Sequence, residues 1–192
     1  PEEGIELTDK NNIMSIEEII EMAKIFVSMG VKKIRLTGGE PLIRKNIDYL
    51  LFELGKLPVE LAITTNGVVV DKFIDIFKQV GLKKINVSLD SLDHEKALFI
   101  TKRNFQDRIL KNIDLLLQHD FDVKVNVVLI KDVNSTELID FIEWSKNKNV
   151  SLRFIEFMPF LGNQWDLSKS ISMKEILEQE NNIYSEKLIK IK

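Results

Sequence analysis

Cysteine is absent from all 192 residues. That excludes disulfides, and it excludes any zinc or iron–sulfur centre whose thiolates would come from this chain alone. Histidine is scarce, and its two copies, His94 and His119, are too far apart in sequence to frame a metal site. No window approaches 18 uncharged apolar residues, which excludes a membrane-spanning helix, and the opening PEEGIELTDKNN reads as neither a signal peptide nor a transit peptide. We therefore expect a cytoplasmic location and no membrane partner. A basic excess is also missing: 27 Lys and Arg face 30 Asp and Glu, for a net charge of -3. No nucleic-acid surface is expected, and any anionic ligand must be met by locally placed cations. With 44% hydrophobic and 30% charged residues and no low-complexity linker, residues 1–192 read as one domain able to bury a core.

The chain alternates between two periodicities. SIEEIIEMAKIFVSMG (15–30) carries apolar residues at helical spacing, Ser15 and Glu18 at capping-box positions, and a closing Gly30. VKKIRLT (31–37) then reads as a strand and KNIDYLLFELGK as a helix. The rhythm continues through ELAITTNG, VDKFIDIFKQVG, KKINVSLDSLD, FQDRILKNIDLLLQHD, VKVNVVLIKDV, STELIDFIEWSKNK and SLRFIEFMPF. Five strands and about six helices in strict alternation predict an α/β fold with a parallel sheet.

Side chains alternate across a strand, so each strand can be read face by face. Lys33, Arg35 and Thr37 oppose Ile34 and Leu36; Thr64 and Asn66 oppose Leu61 and Ile63; Asn86, Ser88 and Asp90 oppose Ile85, Val87 and Leu89; Lys124 and Asn126 oppose Val123, Val125 and Val127. A parallel sheet covered on both sides by helices would be apolar on both faces. One polar face implies a curved sheet with helices outside and a wet concavity inside: an incomplete, wide (β/α) barrel. Because a closed eight-stranded barrel fills its interior with branched apolar residues, the polar lining predicts a lumen that binds a polar, anionic ligand, with Arg153 joining the cations. A flat antiparallel sheet with one wet face is the alternative, and the helical intervening segments oppose it.

The first strand ends in LTGGEPLIR (36–44), where two glycines allow a ligand or an unusual backbone to come close. TGGEP resembles the glycine-rich motif of radical S-adenosylmethionine enzymes. KKIRLTGGEPLIRKNI, LAITTNGVVV, LKKINVSLDSLD, VKVNVVLIKDVN and SLRFIEFMPFLGNQWD, in that order, are similar to the GTP 3′,8-cyclase family of molybdenum-cofactor biosynthesis. The resemblance covers all but the last dozen residues. It implies a TIM-barrel-like fold and a lyase in which S-adenosyl-L-methionine and a [4Fe-4S] cluster generate a radical that rearranges GTP to 3′,8-cyclo-7,8-dihydro-GTP.

Carried onto this sequence, the resemblance implies that Gly38, Gly39 and Glu40 contact the methionyl end of S-adenosyl-L-methionine, with further contacts from Ser88 and Met158. It implies that Arg35, Thr64, Lys124 and Arg153 face GTP, with Lys33 as an added contact. The family's CxxxCxxC loop precedes a stretch like PEEG, so the chain reads as a barrel fragment lacking its first strand and both cluster-binding segments. No catalytic residue and no metal ligand is then expected in it, and no cyclase activity from it alone. By pathway, the family's product passes to a cyclic pyranopterin phosphate synthase. An uncovered barrel edge would favour edge pairing, as in a homodimer.

Each residue also has a plainer reading. Ser88 and Thr64 are suited to capping strand ends, Met158 and Trp165 to packing, Asp90 to capping a following turn, and Arg44 and Lys45 to a solvated helix start. Three rival functions stay open: another radical enzyme acting on peptides or cofactor precursors, a cluster-less barrel that only binds, and an aldolase-like enzyme using Lys124 as a Schiff-base nucleophile.

Overall fold

The computed structural model describes residues 9, 12–159, 167–172, 174–176 and 178; Trp165 lies outside them. Its elements run α1 (Ile16–Ser28), β1 (Lys33–Leu36), α2 (Ile47–Gly55), β2 (Glu60–Thr65), α3 (Ile74–Gln79), β3 (Lys84–Ser88), α4 (His94–Thr101), α5 (Gln106–Gln118), β4 (Asp122–Leu129), α6 (Leu138–Ser145) and β5 (Val150–Glu156). The five strands form one parallel sheet in the order β1-β2-β3-β4-β5.

That order decides where the helices sit. A crossover between parallel neighbours is right-handed in nearly all proteins, so a chain that always steps the same way lays every helix on the same side of the sheet. One face is covered and the other is left open, as in a barrel wall. The sheet does not close among the described residues; β1 and β5 are its edges.

Local signals account for the elements. The Ser15 hydroxyl accepts from the Glu18 amide at 3.1 Å and the Glu18 carboxylate accepts from the Ser15 amide at 2.7 Å, a reciprocal cap that starts α1. Ile16, Ile20 and Ala23 form its buried stripe. The apolar strand face bears Ile63, Ile85, Val87, Val123, Val125, Val127 and Leu129, all almost wholly buried beneath Leu51, Leu54, Phe77, Ile113, Leu116 and Phe141. Each such side chain, fully removed from water, contributes about 1.5–3 kcal/mol. Edge-on aromatic contacts, Phe77 with Phe121 at 6.1 Å and Phe141 with Phe154 at 6.2 Å, lock α3 and α6 over the layer.

One helix has no counterpart in the periodicity reading. α4 buries only Ala97 and therefore leaves no stripe to read. Its cap is Asp93, whose carboxylate accepts from the Lys96 amide at 2.9 Å. Asp90, the residue expected to cap a turn here, instead bonds to β4.

Candidate functional site

Pairing register sorts the open face into layers, because directly paired residues of parallel strands point the same way. At the amino-terminal end, Lys33 lies opposite Glu60. Above them come Arg35, Ala62, Lys84 and Asp122; then Thr64, Asn86, Lys124 and Ser151; then Ser88, Asn126 and Arg153. Arg153 thus joins the polar face, although Ile155 and Phe157 make its own strand face otherwise apolar. The loops after the strands crown this stack, where open α/β sheets and barrels keep their ligands.

The floor is an ion-pair triad. Glu60 accepts from Lys33 at 2.8 Å through one oxygen and from Lys84 at 2.7 Å through the other. These two bonds, Lys33 first, hold its carboxyl well below the usual range, at about 2. Lys84 is pushed up in return by its bond to Glu60. Lys33 is therefore engaged at the floor, away from the upper cations.

Higher up, the cations are freer. Arg35 donates from Nη1 to the Ile63 carbonyl at 3.1 Å and to the Thr64 hydroxyl at 3.3 Å, which brings two of the substrate-facing candidates together. Lys124 is half-buried and Arg153 exposed. Among the described residues neither has a carboxylate within ion-pair range. Two amide oxygens, Asn86 Oδ1 and Asn126 Oδ1, are buried on this face without a hydrogen-bond partner. The stack thus offers donors of positive charge beside vacant acceptors.

The crown is a set of strand-end loops tied to one another. Gly38 has φ +138°, a backbone that other residues rarely adopt, whereas a Cβ on Gly39 would meet nothing within 4 Å. The first glycine is there to make the turn. The second leaves open space in which a ligand can approach the backbone.

Glu40 then accepts from the Leu42 amide at 3.1 Å and the Thr65 hydroxyl at 2.8 Å through Oε1, and from the Asn66 amide at 2.7 Å through Oε2. Its carboxylate is committed mainly to joining the β1 and β2 loops, leaving acceptor capacity chiefly on Oε2. Gly67, at φ +76°, lies so close to β3 that a Cβ would sit 2.8 Å from Val87 Cγ1. Asn112 donates to the Gly67 and Val68 carbonyls and pins this loop to α5.

After β3, Ser88 is exposed on a cavity of about 400 Å³ that it shares with Glu40, Asn66, Asp90 and Arg103. Asp90 accepts from the Val128 amide at 2.9 Å; burial pushes its carboxyl up, and that amide bond opposes the shift. Gly38 and Gly39 line a neighbouring hollow against the start of α1, and Glu40 forms the wall between the two. Met158 lines neither and is 74% exposed. His94 is exposed, and His119 lies 3.0 Å from the Lys78 ammonium. Arg44, at the turn before α2, donates to the Met14 carbonyl.

Several contributors escaped the sequence reading. Glu60 and Lys84 drew no assignment from the sequence; only register reveals the triad. Glu137, 3% exposed, accepts from the Ser91 hydroxyl at 2.9 Å and the Leu92 amide at 2.8 Å, and pairs with Lys96 at 3.2 Å. It anchors the β3–α4 loop from a residue 46 positions away, beyond the reach of any local pattern.

The sequence matches the radical SAM superfamily over residues 3–145. Among curated proteins it is similar to the mitochondrial GTP 3′,8-cyclase of Arabidopsis thaliana, 43% identical over 182 residues that make up 93% of this chain and 47% of that protein. It is 40% identical to the GTP 3′,8-cyclase of Staphylococcus haemolyticus, over 88% of this chain and 51% of that protein. Among solved structures, Streptococcus suis SuiB bound to S-adenosylmethionine superposes with a TM-score of 0.68 at 19% identity, over 91% of this chain and 42% of that one. The chain thus spans about half the length of these two cyclases.

Proposed function

Because the chain belongs to the radical SAM superfamily, we propose that it forms the substrate-facing wall of a GTP 3′,8-cyclase acting in molybdenum-cofactor biosynthesis. The observation that carries this reading is the upper lumen, where Arg35, Lys124 and Arg153 stand on three strands of one polar face. Cations spaced this way suit the distributed charge of a triphosphate, with guanidinium forks matching phosphate oxygens and the ammonium acting as a point charge.

S-adenosyl-L-methionine fits the crown. Open space at Gly39, the exposed Ser88 hydroxyl and the remaining acceptor capacity of Glu40 Oε2 would hold it, with Met158, two residues beyond β5, as a further contact. When bound, it supplies the 5′-deoxyadenosyl group whose radical chemistry defines the superfamily. The residues of this chain orient the nucleotide beneath that group and keep its ribose within reach. With no cysteine in the chain, the thiolates for a [4Fe-4S] cluster would come from polypeptide beyond these residues. The chain alone is then inactive.

By this reading the product would serve a downstream cyclic pyranopterin phosphate synthase. The test is turnover by the full-length, cluster-loaded and reduced protein: GTP and S-adenosyl-L-methionine should yield the 3′,8-cyclised nucleotide. Consumption of S-adenosyl-L-methionine with GTP left intact would point to a different substrate.

A further inference from the structure

Asn86 and Asn126 stand on adjacent strands of the open face, one register layer apart on the sheet's diagonal: Asn86 pairs with Lys124, and Asn126 with Ser88 and Arg153. Asn86 is 4% exposed. The Oδ1 atoms of both are buried and accept no hydrogen bond. Buried side-chain polar atoms are nearly always paired, so each orphan calls for an explanation. Elsewhere among the described residues, buried amides find partners: Asn134 accepts from the Ile130 amide while donating to the Asp90 and Val128 carbonyls, and Asn112 and Gln106 donate to loop carbonyls. The two exceptions both stand on the open face of the sheet.

An amide oxygen accepts only from N–H or O–H. Its natural partner therefore carries donors, while the neighbouring Lys124 and Arg153 require an anion. Diagonal neighbours on adjacent strands stand about 7–8 Å apart, a span across which two asparagine side chains can converge on two donors carried by adjacent carbons of one ligand. A ribose diol attached to a phosphate chain meets both demands. We propose that Asn86 and Asn126 form a diol subsite that receives the ribose hydroxyls of the nucleotide substrate, holding the sugar beside the phosphate-facing Lys124 and Arg153 and above Arg35. This inference rests on the GTP reading above. It adds a role in recognising and orienting the sugar that the charged residues cannot perform. The ribose of S-adenosyl-L-methionine carries the same diol, but Asn86 lies in the Thr64 and Lys124 layer, below Ser88, which favours the substrate's ribose.

The test compares equilibrium binding of GTP, 2′,3′-dideoxy-GTP and inorganic triphosphate to the full-length cluster-loaded protein and its Asn86→Leu and Asn126→Ala variants. S-adenosyl-L-methionine binding is measured alongside. The unsubstituted protein should prefer GTP over the dideoxy nucleotide by about tenfold or more, the loss expected when hydrogen bonds to buried acceptors go unmade. Each variant should reduce or abolish that preference while binding inorganic triphosphate as before, which also shows that it has folded. Equal affinity of the unsubstituted protein for the two nucleotides would overturn the subsite and leave GTP as the substrate. So would an undiminished preference in both variants, or a loss confined to S-adenosyl-L-methionine. Failure of the unsubstituted protein to bind either GTP or inorganic triphosphate would defeat the GTP reading itself, and the diol subsite with it.

Discussion

Arg35, rooted in β1, reaches across to β2 and donates to the Thr64 hydroxyl at 3.3 Å. The same nitrogen also meets the Ile63 carbonyl, so the guanidinium is steered by two anchors while its other donors stay available to a ligand. Thr64→Val removes one anchor and keeps the side-chain shape. In the full-length protein it should weaken GTP binding about fivefold, the worth of one modest hydrogen bond, with little change in melting temperature. Unchanged affinity would show that Arg35 needs no steering.

The two glycines of the β1 loop should respond differently to alanine. Gly38→Ala forces a side chain into φ +138° and should destabilise by about 1–3 kcal/mol. Gly39→Ala meets open space and should leave the melting temperature unchanged while lowering affinity for S-adenosyl-L-methionine. Calorimetry for stability and titration for binding separate the two effects. Equal loss of stability in both variants would remove the case for a ligand at Gly39.

Much of this was legible in the sequence because alternation along a strand is a local property. Lys33, Arg35, Thr64, Asn86, Lys124 and Asn126 fall on one face by parity alone, and the structure places them there. What parity cannot supply is register and reach. Nothing in KKIRLT says that Lys33 turns to Glu60 while Arg35 turns to Thr64, or that the Glu40 carboxylate is used largely by Thr65 and Asn66. α4 went unread because a helix that buries one residue leaves almost no periodic signal. Asp90 reads as a turn cap until β4 is placed beside it.

Acid should weaken the fold through Glu60. Its folded pKa, about 2, lies below the ordinary value of 4.5, so its contribution is complete above about pH 4.5 and fades as pH falls toward 2. Lys84 behaves oppositely: its raised pKa makes its contribution complete below 10.5 and lost at higher pH. Because all three side chains are partly exposed, the effect should be small and should shrink in high salt. Melting temperatures of the unsubstituted protein and Glu60→Gln between pH 2 and 5 should converge as pH falls. A constant gap across that range would mean that the triad carries no pH-dependent stability.

Glu137 should matter more than any surface charge. Glu137→Ala leaves the Leu92 amide and the Ser91 hydroxyl without their acceptor and Lys96 without its partner, at a cost of about 3 kcal/mol. Glu137→Gln retains one acceptor oxygen and should lose less. Denaturant titration of both variants checks the order; a mild effect of the alanine variant would show that the β3–α4 loop is held by other contacts.

The central claim is that the lumen cations bind the phosphates of GTP. The most direct measurement is the GTP dissociation constant of the full-length protein and of its Lys124→Ala and Arg153→Ala variants, with S-adenosyl-L-methionine affinity as the control. Each substitution removes a charge-assisted hydrogen bond and should weaken GTP binding roughly ten- to a hundredfold, while S-adenosyl-L-methionine binds as before. GTP binding that survives both substitutions undiminished would contradict the account.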